Sequence, residues 1–295
     1  MSLSLSLDRA RPSALLDFLR RLFRTRFGGI GFVILVGVSL LSIFAPWFAS
    51  SGPMELGAQS MQPPSWAHPL GTDSLGRDIR SVILYAGRSS LLVGFSAAAM
   101  AFLIGGTIGA LAGYFRGPVA AVLLRITDLF HTLPAIIIVL FSVALLGSSF
   151  WLLVAAVALA IWPIEARIVY GQFITLSERE FVLAARAAGL STPHIIFREI
   201  LPNALPTVIV QVSLDASTAI LIEAGLGFLG LSDPTEPSWG EMLNRGQQFL
   251  ELAWWMSVFP GMAICIAVLG FNLFADGVNE MFNPRASARA PKLQG

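Results

Sequence analysis

Two carboxylates stand inside an otherwise apolar stretch of this chain. Asp215 and Glu223 fall within residues 205–231, a run long enough to cross a lipid bilayer. A charged side chain at the bilayer centre costs about 2.5–3.5 kcal/mol on insertion scales, so Asp215 should face protein or water. Gln211 and Thr218, at i−4 and i+3, share its helical face. These three residues could line an aqueous path or brace neighbouring helices, and the spacing leaves both open. Glu223 is two turns further on, about 80° around the axis, with the same two readings. Glu165 and Arg167, two apart near the end of another apolar run, read as interfacial.

Other chemistry is excluded by residue types and spacing. His68, His131 and His194 lie far apart and lack metal-ligand spacing such as HExxH, so no metal site is expected. The only lysine, Lys292, lies in a polar stretch away from any glycine-rich turn, which rules out a P-loop. No paired catalytic aspartates and no Ser-His or Ser-Lys dyad stand in the apolar runs, so neither enzymatic catalysis nor a bound cofactor is expected. Cys265, the single cysteine, has no partner for an internal disulfide and reads as packing.

The elements that must position these groups follow from composition. Of 295 residues, 55% are hydrophobic and only 13% charged, about half the charge of a soluble domain. The mean hydropathy is +0.74. Six runs are long enough to span about 30 Å of hydrocarbon, at residues 29–49, 89–114, 126–146, 151–169, 205–231 and 255–274. In lipid, every backbone polar group needs an internal partner, so these runs read as helices. The expected fold class is therefore an all-α membrane protein with six transmembrane helices. Gly105, Gly109 and Gly113 recur every four residues and mark a face where another helix approaches closely.

Residues 12–27 interleave Leu15, Leu16, Leu19 and Phe23 with Arg20, Arg21, Arg24 and Arg26, a pattern suited to an amphipathic segment lying at the membrane surface, with a disordered basic tail as the alternative. The first run is too long for a secretory signal and reads as a retained span. Orientation follows from basic residues. With the amino terminus inside, the outer segments hold only Arg77, Arg80, Arg88 and Arg245, against fifteen basic residues inside. Both termini are then cytoplasmic. The organisation is an amino-terminal basic segment (1–28), a first helix (29–49), an outer loop (50–88), a five-helix core (89–278) carrying a long inner connection (170–203), and a cytoplasmic tail (279–295). A second outer loop, residues 232–253, is acidic.

The inner connection carries the most information. Ser177 with Glu180 three residues later is a capping box that should start a helix. Gly189 is placed where a left-handed residue would end it. Thr192-Pro193 reads as the cap and first position of a second short helix, and Pro202 as its stop. Ala184, Ala185 and Ala188 would then offer a surface without bulk, suited either to a partner's groove or simply to a connection between two spans.

Here the chain resembles the permeases of binding-protein-dependent ABC importers. Ala184-Ala185, Gly189 and Leu201-Pro202 match the pattern EAA, three residues, Gly, nine residues, I-x-LP, with Leu183 in place of the glutamate and Glu199 in place of the isoleucine. Residues 68–78, HPLGTDSLGRD, are similar to a signature of the second permease subunit of dipeptide, oligopeptide and nickel importers. Pro237-Ser-Trp239-Gly resembles the same branch's last outer loop. Asp276-Gly277 and Asn283-Pro284-Arg285 resemble its carboxy-terminal end. The likeness runs from about residue 20 to 285.

The resemblance implies a type I ABC importer fold in the bacterial inner membrane, with residues 170–203 as a cytoplasmic coupling-helix hairpin. Ala184, Ala185, Arg186, Ala188, Gly189, Leu190, Leu201 and Pro202 would couple to an ATPase. It implies a homologous second permease, two ATPase subunits that carry ATP and Mg, and an extracytoplasmic substrate-binding protein as partners, besides membrane lipid. The outer residues Asp73, Arg77, Asp78, Trp239 and Glu241 would meet the binding protein or fix their own loop. Trp239, Trp254 and Trp255 read as interfacial anchors. Di- and oligopeptides are the expected cargo, with chelated nickel or glutathione as alternatives. A secondary transporter using Asp215 as its protonation site is the alternative from another class.

Overall fold

The computed structural model describes residues 14–57, 59–233 and 235–282, so the tail motif at residues 283–285 and Lys292 lie outside the described residues. Those residues form helices joined by short connections, with no strand among them beyond one bridge between Thr72 and Asp78. Helix α1 (Ala14–Leu22) leads to α2 (Gly28–Ile43) and the single turn α3 (Ala45–Phe48). An ordered loop follows, then the long α4 (Ile79–Phe115), α5 (Gly117–His131), α6 (Ala135–Leu146) and α7 (Phe150–Leu176). The inner connection contains α8 (Glu180–Ala187) and α9 (Thr192–His194). The latter continues through a widened π turn, Ile195–Ile200, into α10 (Leu201–Phe228). Helices α11 (Trp239–Gln247) and α12 (Trp255–Phe282) complete the bundle.

Four helical stretches are long and apolar enough to cross a membrane: Ile79–Phe115, Phe150–Leu176, Thr192–Phe228 and Trp255–Phe282. Residues 126–146 are not the single straight helix expected, because α5 and α6 meet at a bend of 79°. The chain there reads Thr132-Leu133-Pro134, and proline both drives the preceding residue out of the helical region and lacks a donor. Helix α2 is apolar but only 16 residues long, about 24 Å. Pro202 does not stop a helix either. It occupies the first turn of α10, where its missing N–H costs least, and the π turn before it closes with Leu201 N–H donating to Ile196 O.

Helices α4 and α7 form the most extensive packed pair. The stripe of Gly105, Gly109 and Gly113 lies against Trp162, Ala166 and Phe173 of α7, so closely that a Cβ on Gly113 would sit 2.6 Å from that of Phe173. The neighbour that the stripe implied is thus another helix of the same chain. The bundle has two distinguishable ends. At one, the Arg26 N–H donates to Glu280 Oε2 (3.1 Å) and Arg116 pairs with Glu178 (2.9 Å) beside the α8 hairpin. At the other, Arg88 donates to the carbonyls of Ser42 and Ile43 (both 2.7 Å), and the Phe150 N–H donates to Asp233 (3.1 Å).

Candidate functional site

At the hairpin end, α8 lies on the bundle by one face. Val182 and Ala185 are buried against Val169, Phe173, Ile195, Ile196 and Ile200. Away from that face Ala184, Arg186, Ala188 and Gly189 are exposed together with Phe181, Leu183 and Leu190. Phe197, on the π turn, is exposed in a groove beside Phe102, Leu103 and Gly106 of α4. The expectation that three alanines share one open surface is corrected at Ala185, which is 8% exposed. Three positions apart at 100° each, Val182 and Ala185 lie 60° apart and define the inward stripe.

The bend is as expected. Gly189 has φ +76°, its N–H donates to Arg186 O (3.0 Å), and the Leu190 N–H donates to Ala185 O (3.2 Å). This is a Schellman motif closed by a left-handed glycine. The start of α8 differs. Ser177 closes α7 rather than capping α8, donating its hydroxyl to Ile174 O (3.0 Å) and accepting from Arg116 Nη2 (2.9 Å). Helix α8 begins after an extended Arg179 with no side-chain cap. Ser191, one residue earlier than expected, precedes the second helix.

Arg116 was not singled out by its sequence context, yet it ties three elements together. It sits at positive φ between α4 and α5 and reaches Ile174 O, Ser177 and Glu178 at the end of α7. Arg186 lies over the Tyr114 ring, 5.0 Å from its centroid, so α8 is held to the end of α4 by a cation–π contact. Leu201 packs partly buried beside the hairpin core. Pro202 is exposed at a groove shared by α10 and α12, with Asn203, Pro206 and Asn279.

In the middle of the bundle Gln211 Nε2 donates to Asp215 Oδ1 (2.8 Å), and Asp215 is buried. The Glu165 carboxyl group is its neighbour from α7. Glu165 is 0% exposed, which corrects its reading as interfacial; its Arg167 neighbour instead reaches Asp128 on α5 (2.6 Å). Two residues apart on a helix point 200° apart, so one can be central while the other faces out. Neither Glu165 oxygen, nor Asp215 Oδ2, nor Trp162 Nε1 has a hydrogen-bond partner among the described residues. Thr218 is exposed and bonds its own helix at Leu214 O (2.9 Å), so it does not join the Gln211–Asp215 pair.

Glu223 belongs to a separate polar cluster nearer the other end. It is 1% exposed, and Ser90 of α4 donates to its Oε2 (3.0 Å). The Trp239 N–H donates to the same Ser90 hydroxyl (3.2 Å), and the indole N–H to Ile83 O (3.0 Å). A carboxylate near the start of α11 also faces favourable partial charge. Glu223 of α10 is thus bonded to Ser90 of α4, whose hydroxyl also receives the first N–H of α11. Trp239 and Trp255 are buried, the latter donating to Thr72 O (3.1 Å), whereas Trp254 is exposed. The interfacial-anchor reading is therefore corrected for Trp239 and Trp255, whose indole donors find internal acceptors.

The HPLGTDSLGRD loop is an internally bonded unit. Asp73 accepts from the backbone N–H groups of Leu75 (2.8 Å) and Arg77 (2.9 Å) and from Arg77 Nε (2.6 Å). Asp78 caps α4, accepting from the Ser81 N–H (3.1 Å) and hydroxyl (2.8 Å), the Ser50 hydroxyl (2.9 Å) and the His68 ring (3.3 Å). Burial pushes the Asp78 carboxyl upward, but the bonds from Ser81, Ser50 and His68 outweigh it and hold it below the usual range. Asp73, Arg77 and Asp78 are all buried. Glu241 on α11 pairs with Arg245 and is partly exposed.

Residues 105–288 match the family model described as binding-protein-dependent transport system inner membrane component. Residues 13–64 match the N-terminal TM domain of oligopeptide transport permease C. The chain is 40% identical over 268 residues to a dipeptide transport system permease protein of Alkalihalophilus pseudofirmus, covering 90% of this chain and 88% of that one. It is 38% identical to a probable D,D-dipeptide transport system permease protein of Escherichia coli, with 87% of each chain covered. A di/tripeptide transport system permease protein of Pseudomonas aeruginosa is 35% identical, with 93% of each covered. In fold, the chain is similar to the MetNI methionine ABC transporter in an inward-facing conformation. The TM-score is 0.56 at 19% identity, over 68% of this chain and 95% of that one. A membrane-spanning bundle, a glycine-bent helical hairpin at one end and these matches over nine-tenths of the chain lead to one assignment: the protein belongs to the family of binding-protein-dependent transport system inner membrane components, the permease subunits of ABC importers.

Proposed function

We propose that this permease forms half of the translocation pathway of an ATP-driven importer for short peptides. The observation that carries the coupling role is the α8 hairpin: a rigid bend that exposes Phe181, Leu183 and Leu190. An apolar convex surface of that kind suits a cleft in an ATPase subunit. Two such subunits, holding ATP and Mg, would drive the cycle, since this chain has no P-loop of its own. A homologous permease would complete the path, and a binding protein would deliver cargo at the opposite end. The relatives' names, dipeptide and di/tripeptide transport permeases, favour di- and oligopeptides over chelated nickel or glutathione.

The topology we propose has six passes through the bacterial inner membrane and both termini in the cytoplasm. The fifteen-to-four distribution of basic residues supports it. So does the meeting of Arg26 with Glu280, which brings the beginning of α2 to the end of α12 on the Arg116–Glu178 side. The α5–α6 pair makes one bent pass, and α2 a short one. Glu223 acts in this reading as an internal brace through Ser90, while Asp215, bonded only within its own helix, and the exposed Thr218 are left to the path.

The test is purification of the tagged chain in mild detergent with mass spectrometry of what accompanies it. Recovery of a second permease with one or two P-loop ATPases is expected. A homo-oligomer without any ATPase overturns the assignment of this chain to an ATP-driven complex.

A further inference from the structure

The amino-terminal elbow, residues 14–27, has a composition that neither the hairpin nor the carboxyl clusters explain. Helix α1 carries Arg20 and Arg21, and the turn after it Arg24 and Arg26, all exposed. Among the described residues none of the four forms an ion pair. Exposed on the same elbow are Leu16, Phe23 and Phe27. A face that shows both arginines and large apolar side chains is unsuited to bulk water. It suits the boundary where acyl chains give way to headgroups, with guanidinium groups reaching outward from an apolar footing.

The elbow is also fixed rather than trailing. Leu22 is fully buried. Thr25 donates its hydroxyl to Leu22 O (2.7 Å) and accepts the Gly28 N–H (3.1 Å). Gly28 meets Gly277 of α12 backbone to backbone: a Cβ on Gly28 would stand 2.9 Å from the Gly277 Cα. The arginines are therefore held at a set height beside the end of α12, where Glu280 accepts the Arg26 N–H.

We infer that this elbow is a docking surface for anionic phospholipid, with Arg20, Arg21 and Arg24 clamping headgroup phosphates and Leu16, Phe23 and Phe27 seated among the acyl chains. Charge complementarity selects the occupant. Guanidinium forks bind phosphate in paired hydrogen bonds, and each basic side chain at an anionic surface contributes about a fivefold gain in binding. Three such residues together amount to a gain on the order of 100-fold. The inference requires membrane insertion but not the importer assignment.

The experiment is hydrogen–deuterium exchange of the full chain in nanodiscs of phosphatidylcholine, with and without phosphatidylglycerol, following peptides from residues 14–27. Exchange there should slow about tenfold or more when phosphatidylglycerol is present. The R20Q/R21Q/R24Q variant should lose that protection, whereas R125Q, which removes an exposed arginine on α5, should keep it. Equal exchange in both lipids overturns the inference, as does wild-type protection in the triple variant. Protection that arises only after an ATPase subunit is added overturns it too, and assigns the face to a protein. Failure to recover any ATPase in the purification bears on the importer reading alone.

Discussion

The two ends of the bundle use their polar and apolar residues in opposite ways. At the loop end the charged side chains turn inward. Asp73, Arg77 and Asp78 are buried and spend their hydrogen bonds on one another, on nearby backbone and on Ser50, Ser81 and His68. At the hairpin end Phe181, Leu183 and Leu190 turn outward although Val182 and Ala185 suffice to seat the helix, and the bend is closed by backbone bonds alone. The first arrangement maintains a shape. The second presents a surface whose burial must come from another molecule. A motif rich in charge is thus not automatically a contact site, and an apolar motif is not automatically core.

The comparison breaks most visibly at Asp73. Replacement by alanine leaves the Arg77 guanidinium buried, with Met54 Sδ at 3.9 Å as its remaining side-chain contact, and strips acceptors from the N–H groups of Leu75 and Arg77. Removing one member of a buried ion pair costs about 3–5 kcal/mol. Asp73→Ala should therefore lower the melting temperature of the detergent-solubilised protein by many degrees. An unchanged melt would show that the loop does not depend on its internal charges.

At the other end, Gly189→Pro should act locally. Proline cannot adopt φ +76° and removes the N–H that bonds Arg186 O, a local penalty of about 3 kcal/mol. The membrane-spanning helices are untouched. Recovery of the ATPase with the permease should fall about tenfold or ATP hydrolysis should lose its link to uptake, with little change in permease yield. Normal coupled uptake would remove the hairpin from the transmission of force.

A smaller effect separates the ends by pH. The folded Asp78 carboxyl titrates below its ordinary value, so as pH falls the unfolded chain takes up the proton first. Its contribution is complete above about pH 4 and is lost as pH drops through the folded value. The melting temperature of the wild type should decline more steeply than that of Asp78→Asn as pH falls below about 4. Parallel curves for the two proteins would show that the cap does not depend on ionisation.

Much of this was legible in the sequence, and the misses share a cause. Apolar runs reveal helices because lipid leaves the backbone no other solution, and Gly189 reveals its bend because only a left-handed residue closes it. The rotation of a helix about its axis is not carried by such runs. In α7 nearly every neighbour of Glu165 is apolar, so no polar face says which way it points. In α10 the i+3 spacing puts Thr218 only roughly on the Asp215 face, and the 60° between them is enough to leave Thr218 exposed while Asp215 is buried. The exposed arginine two residues away made Glu165 look superficial, whereas it is fully buried beside Asp215. Trp239 misled for a related reason, since an indole near a membrane boundary fits either an anchor or a core with an acceptor at hand. Arg116 gave one unused signal: Arg-Gly-Pro directly after a long apolar helix marks a forced corner, and a corner needs a fastening.

The smallest structural effect is expected at Leu183, and for that reason it sharpens the comparison most. Its side chain is 51% exposed, so Leu183→Ser should change stability by less than about 0.5 kcal/mol, as surface substitutions usually do. If the outward face of α8 seats in an ATPase cleft, the same change removes apolar area from that contact, about 1–2 kcal/mol and roughly a tenfold weaker association. Leu183→Glu separates shape from charge, because it places at this position the glutamate of the pattern that Ala184-Ala185 and Gly189 resemble. Should the glutamate variant retain the ATPase as well as leucine does while serine releases it, the cleft accepts either a long apolar or a long acidic side chain. Should both variants retain it fully, contact is carried by the remaining exposed residues, Phe181 and Leu190 among them, and Leu183 has no part in docking.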